Sequence, residues 1–230
     1  MSDRVIAIDG PAGSGKSTAA RHLAEALGFT YLNTGAMYRA VALLADEGGI
    51  DLNSEAAVAN VARGLCFEYL IENGQQRFII HGKDRTDELF TVALTGKLKP
   101  VVNNSAVREV LVAKMREAAR GVLRQGVRGV VMEGRDIGTV VFPDAPLKFY
   151  IHADLEERTR RRATELLTRG ESVDVDGLRK QIQYRDDTDR GRSIGPLVKA
   201  EDAVDVDTTH LDEEATLQRL LEEARARGLA

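Results

Sequence analysis

Cysteine is almost missing from this chain. Cys66 is the sole one among 230 residues, so no intrachain disulfide can form. Its setting, Leu65-Cys66-Phe67, reads as a small buried core residue rather than a reactive thiol. Tryptophan is absent, which decides nothing. The four histidines, His22, His81, His152 and His210, lie far apart and show none of the spacings that hold a metal. No apolar run nears the roughly 20 residues needed to cross a bilayer. No basic-then-apolar leader precedes the first strand-like run at Arg4 to Asp9, so export is not expected and a cytoplasmic location is. A basic excess is lacking too: the net charge is −4, which counts against a general nucleic-acid binder. Tandem repeats, low-complexity tracts and a heptad seam are all missing, and the last absence favours a monomer.

What is present fits one compact α/β domain with room for insertions, since hydrophobic residues make up 43% of the chain. Val5-Ile6-Ala7-Ile8 is a near-continuous apolar run, as in a strand buried on both faces. A helix is expected from about Lys16 to Leu27, stopping at Gly28. A short strand follows at Thr30 to Leu32, then a helix from Ala36 to Glu47. Ser54 reads as the N-cap of a helix closing at Gly64. Phe67 to Ile71 and Arg77 to His81 are β-rich runs separated by Asn73-Gly74, a hairpin signal, with a third short strand after Gly82. This antiparallel patch interrupts an otherwise parallel α/β pattern. A long helix, Ser105 to Gln125, leads to two further buried strands, Val130 to Met132 and Leu147 to Ile151. Asp154 with Glu157 resembles a capping box opening an arginine-rich helix, Leu155 to Thr168. A helix over Asp176 to Tyr184, a strand over Ala203 to Val206 and a helix over Asp212 to Arg227 complete the chain. The fold class expected is α/β: a P-loop NTPase-type core with a parallel five-stranded sheet flanked by helices, an antiparallel β insert and a short helical lid.

Gly10-Pro11-Ala12-Gly13-Ser14-Gly15-Lys16-Ser17, followed by Thr18, satisfies G-x-x-x-x-G-K-[ST] between a buried strand and a helix. Backbone N–H groups of such a turn point inward and cradle phosphate oxygens at a helix N-terminus. Lys16 is expected to reach the β- and γ-phosphates of ATP, and Ser17 to hold Mg²⁺. The motif alone gives nucleotide binding, not the reaction. No Asn-Lys-x-Asp guanine-reading segment occurs, and the strand ending in Glu133 is followed by Gly134-Arg135-Asp136 rather than the Asp-x-x-Gly of a switch GTPase. Glu133 stands where a carboxylate organises the magnesium shell, with a structural ion pair as the other reading.

The arginines are the second signal. Arg158, Arg161 or Arg162, and Arg169 recur at spacings of 3, 4 and 7, which places them on one helix face; Arg160 points elsewhere, to solvent. A lid helix with such a face supplies charge to a transferring phosphoryl group, a contribution of ~10³ to 10⁵ in rate, and its closure excludes water. Lys16, Arg158 and Arg162 are expected to be catalytic.

Four segments taken together, Gly10 to Thr18, Asn33-Thr34-Gly35-Ala36-Met37-Tyr38-Arg39, Glu133 through Pro143, and Arg185-Asp186-Asp187 through Arg192, resemble the bacterial cytidylate kinases over nearly the whole chain. The resemblance implies transfer of the γ-phosphate of ATP to CMP or dCMP with Mg²⁺. It also implies a single cytidylate-kinase-like domain, with a core over about 1–35, 103–155 and 190–230, an acceptor-binding lobe over about 36–102 and a lid over about 156–170. Carried over by position, Thr34 and Arg39 would contact the acceptor phosphate. Arg108 and Asp136 would read the cytosine edge, and Arg135 would lie beside the transferring phosphates. Arg185 and Asp189 would hold the ribose hydroxyls, and Arg192 would lie near the base. A carboxylate suits the N4 amino donor of cytosine, and arginine donors suit its O2 and N3. Asn33 and Glu133 stand where the family often has Asp. Lys99 falls where the family carries a serine that touches the base, and it is not carried over. The rival readings are a P-loop kinase for UMP or another small metabolite and, more remotely, a nucleotide-dependent switch or binding module.

Overall fold

The structure, a computed structural model, describes residues 4–72, 75–168 and 170–230. The chain divides into two compact units, Met1–Tyr31 with Val122–Ala230, and Leu32–Gly121. The first is organised by a five-stranded parallel sheet. Its strands are β1 (Val5–Asp9), β2 (Thr30–Asn33), β6 (Val130–Gly134), β7 (Leu147–His152) and β8 (Val204–Asp207), in the order β2-β6-β1-β7-β8. All five residues of β1 are buried. A parallel strand covered on both faces has no reason to alternate polar and apolar residues, which is why it reads as an unbroken apolar run.

Helices α1 (Lys16–Leu27) and α10 (Glu213–Ala226) cover one face. Leu23 and Leu27 from α1 and Leu220 from α10 pack with Ile6, Ile8, Phe149 and Ile151 in one core cluster. Each fully buried aliphatic side chain there contributes about 2 kcal/mol. Helix α1 ends where expected: Gly28 is left-handed (φ 65°), and its N–H returns to the carbonyls of Ala24 and Glu25. Gly10 matters more. A Cβ built on it would lie 1.9 Å from the carbonyl oxygen of Ile151, so only glycine lets the chain leave β1 this close to β7.

The second unit holds α2 (Gly35–Glu47), α3 (Glu55–Gly64), the antiparallel strands β3 (Phe67–Glu72), β4 (Gln75–Ile80) and β5 (Lys83–Asp84), three short helices, α4 (Thr86–Leu89), α5 (Val92–Gly96) and α6 (Leu98–Asn103), and most of α7 (Ser105–Arg124). The register pairs Phe67 with Ile80 and Tyr69 with Phe78. This alternation brings Phe67, Tyr69, Phe78 and, from the loop beyond α4, Phe90 into ring contact at 5.0–5.9 Å. The hairpin signal Asn73-Gly74 itself lies outside the described residues.

Several expectations are corrected. Cys66 is exposed rather than buried, because its neighbour Leu65 takes the core position and the chain alternates on entering β3. Ser54 is the N-cap of α3, which closes at Gly64 as expected, though its cap comes from its backbone carbonyl, which accepts the Val58 N–H at 3.0 Å, and not from its side chain. Helix α9 runs over Val175–Arg190, well past Tyr184. The charged stretch there continues the helix because its polar groups bond at helical spacing: Gln183 to Asp187 at 2.9 Å and Thr188 Oγ to the Tyr184 carbonyl at 2.8 Å. Helices α4 to α6, at four to six residues, are too short to show a period. The turn after β6 is a π-helical one, Ile137–Val141, of a kind that often marks functional positions. The capping-box residue Asp154 does accept the Glu157 N–H at 2.8 Å and opens α8 (Leu155–Thr168). Among the described residues no helix is long and apolar enough to cross a membrane.

Gly10→Ala is expected to lower the unfolding free energy by about 3 kcal/mol, since the added methyl must force β1 away from the β7 carbonyl. Urea unfolding followed by circular dichroism measures it; an unchanged midpoint would contradict this placement of the loop.

Candidate active site

The loop from Gly10 to Gly15 joins β1 to α1, and its form follows from glycine. Gly13 and Gly15 adopt φ of 74° and 79°, a region L side chains rarely enter. Gly13 lies against Arg158 and Gly15 against Arg161: Cβ atoms built there would sit 3.3 Å and 3.4 Å from those side chains. Lys16, in the first turn of α1, is 6% exposed, and its Nζ donates to the Pro11 carbonyl across the loop at 3.0 Å. Burial lowers its pKa to about 7, the Arg135 charge acts in the same direction, and Glu133 opposes. The Ser14 hydroxyl is buried with no hydrogen-bond partner among the described residues. A buried ammonium and an unanswered hydroxyl beside a turn of N–H groups make a cradle suited to an anion.

Ser17 Oγ donates to both carboxylate oxygens of Glu133, at 2.9 and 2.8 Å. Glu133 is placed by β6, whose register sets it beside Ile8 of β1. A hydroxyl and a carboxylate, oxygen donors only, fit a small hard cation such as Mg²⁺ that takes its remaining ligands from water and phosphate. Among the described residues no group of three or more His, Cys, Asp or Glu side chains that could cage a metal occurs.

The arginines of α8 part company. Arg158 is buried and donates from Nε to the Ala153 carbonyl (2.9 Å) and from Nη1 to the Ala12 carbonyl (3.0 Å) and Asp186 Oδ2 (2.6 Å). It therefore braces the backbone of the glycine loop against α9. Arg161 donates to Glu157 (2.7 Å) and to the Thr208 carbonyl (2.5 Å), beyond the end of β8. Arg162 pairs with Glu165 at 2.5 Å and Arg160 with Glu157 at 2.7 Å. So Arg158 and Arg161 turn to the loop, Arg162 lies along its own helix, and Arg160 is two-thirds exposed. Arg169 lies outside the described residues.

Helix α9 and the turn after it add a second cluster. Arg135 Nε donates to Asp189 Oδ2 at 2.8 Å, and Arg192 Nη2 donates to Asp189 Oδ1. Burial alone would depress the Arg135 pKa, but the Asp189 carboxylate outweighs it and holds it above its ordinary value. Arg185 goes the other way: burial first, and then the Arg135 charge, bring it down to about 10. Arg185 nonetheless remains exposed to solvent. Crowded cations at Lys16, Arg135 and Arg185 are what a polyanion would relieve.

Asp136 is 6% exposed and heads the π-helical turn, yet its side chain makes no cap bond there. Asp9 does so instead, accepting from the N–H groups of Ile137 and Gly138, both at 2.8 Å. Burial raises the Asp9 pKa to about 7 against the pull of those two bonds. Asp9 and Asp186 are residues that sequence reasoning missed. The one signal for Asp9 was an acid closing an otherwise apolar strand.

Thr34, Arg39 and Arg108 belong to the second unit. Thr34 is buried at the N-terminus of α2. Arg39 Nη1 donates to the Leu89 carbonyl and to Thr95 Oγ1, both at 2.9 Å, with its guanidinium 5.1 Å from the Phe90 ring centre. Arg108, buried on α7, lies 5.7 Å from the ring centre of Tyr38, a cation–π pairing. In the first unit a cavity of about 400 Å³ also opens beside Pro11 and Arg158. Two of its lining side chains, His152 and Lys199, face Asp205 at 3.2 and 3.5 Å, so they have a counter-charge at hand.

The buried lysine carries a pH signature. Folded Lys16 releases its proton near pH 7, whereas the unfolded chain holds it to about 10.5. The unfolded state thus binds more protons across that window, and stability rises with pH there. The unfolding free energy of the wild type, taken relative to Lys16→Met, is expected to increase from pH 7 to 10. Denaturant titrations at several pH values check this; a difference that stays flat or falls would contradict it.

The profile of the family described as Cytidylate kinase matches residues 6–226. The chain is 42% identical over 226 residues to a cytidylate kinase of Geobacter sulfurreducens, covering 98% of this chain and 94% of that one. It is 44% identical over 220 residues to a cytidylate kinase of Caldanaerobacter subterraneus subsp. tengcongensis, covering 96% and 94%. Among solved structures, the crystal structure of a sugar kinase from Janibacter sp. HTCC2649 matches with a TM-score of 0.51 at 14% identity, covering 99% of this chain and 98% of that one, a likeness of fold alone. The match to the family profile over residues 6–226, and to these relatives over 96–98% of the chain, identifies the chain as a member of the cytidylate kinase family.

Proposed function

We propose that the protein transfers the γ-phosphate of ATP to CMP or dCMP, giving ADP and CDP or dCDP. The observation that carries this reading is the buried Lys16 ammonium, bound across the glycine loop to the Pro11 carbonyl in a chain of this family. The loop from Gly10 to Thr18 would take the triphosphate, with Lys16 at the β- and γ-phosphates. Ser17 and Glu133 would hold Mg²⁺, which when bound supplies charge neutralisation on the phosphate oxygens.

An acceptor phosphate oxygen attacks the γ-phosphorus, and the bond from γ-phosphorus to the β–γ bridging oxygen breaks, so ADP leaves. No general base is needed, because a phosphate monoester is largely dianionic near pH 7, its second pKa being about 6. What the protein supplies is position and charge. Arg135, held by Asp189, would lie at the transferring phosphates. Arg158 acts on the loop through Ala12, which supports a bracing role, and Arg162 would reach the phosphates only on leaving Glu165. Thr34 and Arg39 are proposed for the acceptor phosphate, Arg108 and Asp136 for the cytosine edge, Arg185 and Asp189 for the ribose, and Arg192 for the neighbourhood of the base. In this reading residues 156–170 act as lid and residues 36–102 as acceptor lobe. The protein works as a cytoplasmic monomer, with no part played by nucleic acid or membrane.

ADP release with a panel of acceptors tests the proposal. CMP and dCMP are expected to support turnover at least about 100-fold above AMP, GMP or water, because buried polar groups left unpaired by the wrong base weigh heavily. Equal turnover across the panel would sink it. Lys16→Met is expected to lower kcat by about 10² to 10³ with its circular-dichroism spectrum unchanged; a wild-type rate in that variant would count against the assignment.

A further inference from the structure

We infer that Asp9 is a positioning residue for base selection, its carboxylate fixing the segment Arg135-Asp136 relative to the glycine loop. The inference rests on the reading of Asp136 as the acceptor of the cytosine amino group.

Asp9 closes β1, the central strand, and is paired on one side with Gly134 of β6 and on the other with Tyr150 of β7. It is 5% exposed. Its two oxygens are used separately, Oδ1 for the Ile137 N–H and Oδ2 for the Gly138 N–H, each at 2.8 Å. These are first-turn donors of the π-helical turn and have no partner within it. The residue heading that turn, Asp136, is the usual one to cap it and does not. If the turn needed only a cap, Asp136 could supply one locally. Instead a distant carboxylate is buried for the purpose, at a cost in desolvation, and the Asp136 side chain is left out of the capping.

The consequence is mechanical. Asp136 sits at φ −144°, ψ 28°, and rotation about those bonds would swing Ile137 and Gly138 off the carboxylate. Breaking two charge-assisted bonds in a buried place is costly, so the direction of the Asp136 side chain is set from β1. The residue after Asp9 is Gly10, where the phosphate loop begins. One side chain thus ties the segment proposed to read the base to the segment proposed to hold the donor. The close approach of Gly138, whose Cβ would stand 3.4 Å from Asp9 Oδ2 and 3.1 Å from Lys148 Cδ, leaves little slack.

The test compares kcat/KM for CMP with that for UMP in four proteins: Asp9→Asn, Asp9→Thr, Asp136→Ala, and Asp9→Asn combined with Asp136→Ala. Asp9→Asn turns one accepting oxygen into an amide donor facing an N–H. Asp9→Thr keeps a single accepting hydroxyl. Both are expected to reduce the CMP-to-UMP ratio about 10-fold, from the loss of one such bond, chiefly through a higher KM for CMP. The Kd for ATP should stay within about 2-fold. Adding Asp9→Asn to Asp136→Ala should reduce the ratio no further, the non-additivity of residues acting as one unit. A ratio that survives Asp136→Ala sinks the base-reading assignment and this inference with it. A ratio that collapses in Asp136→Ala but holds in both Asp9 variants, whatever their thermal stability, overturns the positioning role alone. Failure of both Asp9 variants to fold would overturn it too, making Asp9 a requirement of the fold.

Discussion

The ammonium of Lys16, withdrawn from water and held by the Pro11 carbonyl at 3.0 Å, is the constraint around which the first unit is arranged. A buried cation is expensive unless something answers it, and here two further cations, Arg135 and Arg185, stand close enough to push its pKa down. Glu133 answers part of that charge, but it is also engaged with the Ser17 hydroxyl. The arrangement is one of positive charge held ready, and its natural complement is the triphosphate that the glycine loop is shaped to receive. Pre-organised charge of this kind acts on developing negative charge without rearrangement at the moment of transfer.

What holds the charges in place is the sheet. Parallel strands β6, β1 and β7 end at one edge in adjacent positions, the place where doubly wound sheets gather their ligands. From β1 issues the glycine loop, from β6 the run Glu133-Gly134-Arg135-Asp136, and from β7 the start of α8 with Arg158. Arg158 ties α8, α9 and the loop together through Ala12 and Asp186. Buried ion pairs are poor sources of stability but good at fixing one arrangement, and that is their use here: Arg158–Asp186 and Arg135–Asp189–Arg192 decide where the unit's cations stand.

Much of this was legible in the sequence, and the reason is locality. The apolar run of β1, the glycine pattern from Gly10 to Ser17 and the helix stop at Gly28 each depend on a few neighbouring residues, so pattern alone fixes them. The antiparallel insert showed itself through β-rich runs around a hairpin signal. Other features depend on partners far away in the chain and left no mark. Arg158 looked like one of a row of lid arginines, and only the fold reveals that Asp186, 28 residues on, and Ala12, 146 residues back, claim its guanidinium. Asp9 meets Ile137 and Gly138 across 128 and 129 residues. Cys66 was misread because an apolar neighbourhood in sequence says nothing about which side of an incipient strand a residue takes. The extension of α9 past Tyr184 was hidden by a charge density that resembles a loop until helical spacing pairs it.

The most direct measurement of the central claim is the proton balance of ATP binding. Calorimetric titrations of the protein with ATP and Mg²⁺ at pH 8.5, in two buffers of different ionisation enthalpy, give the number of protons exchanged on binding. Lys16 is depressed to about pH 7 by burial and by Arg135, and it should recover its proton when a triphosphate arrives, so a net uptake that disappears in Lys16→Met is predicted. Binding with no proton uptake, or with an uptake that persists in Lys16→Met, would contradict the account.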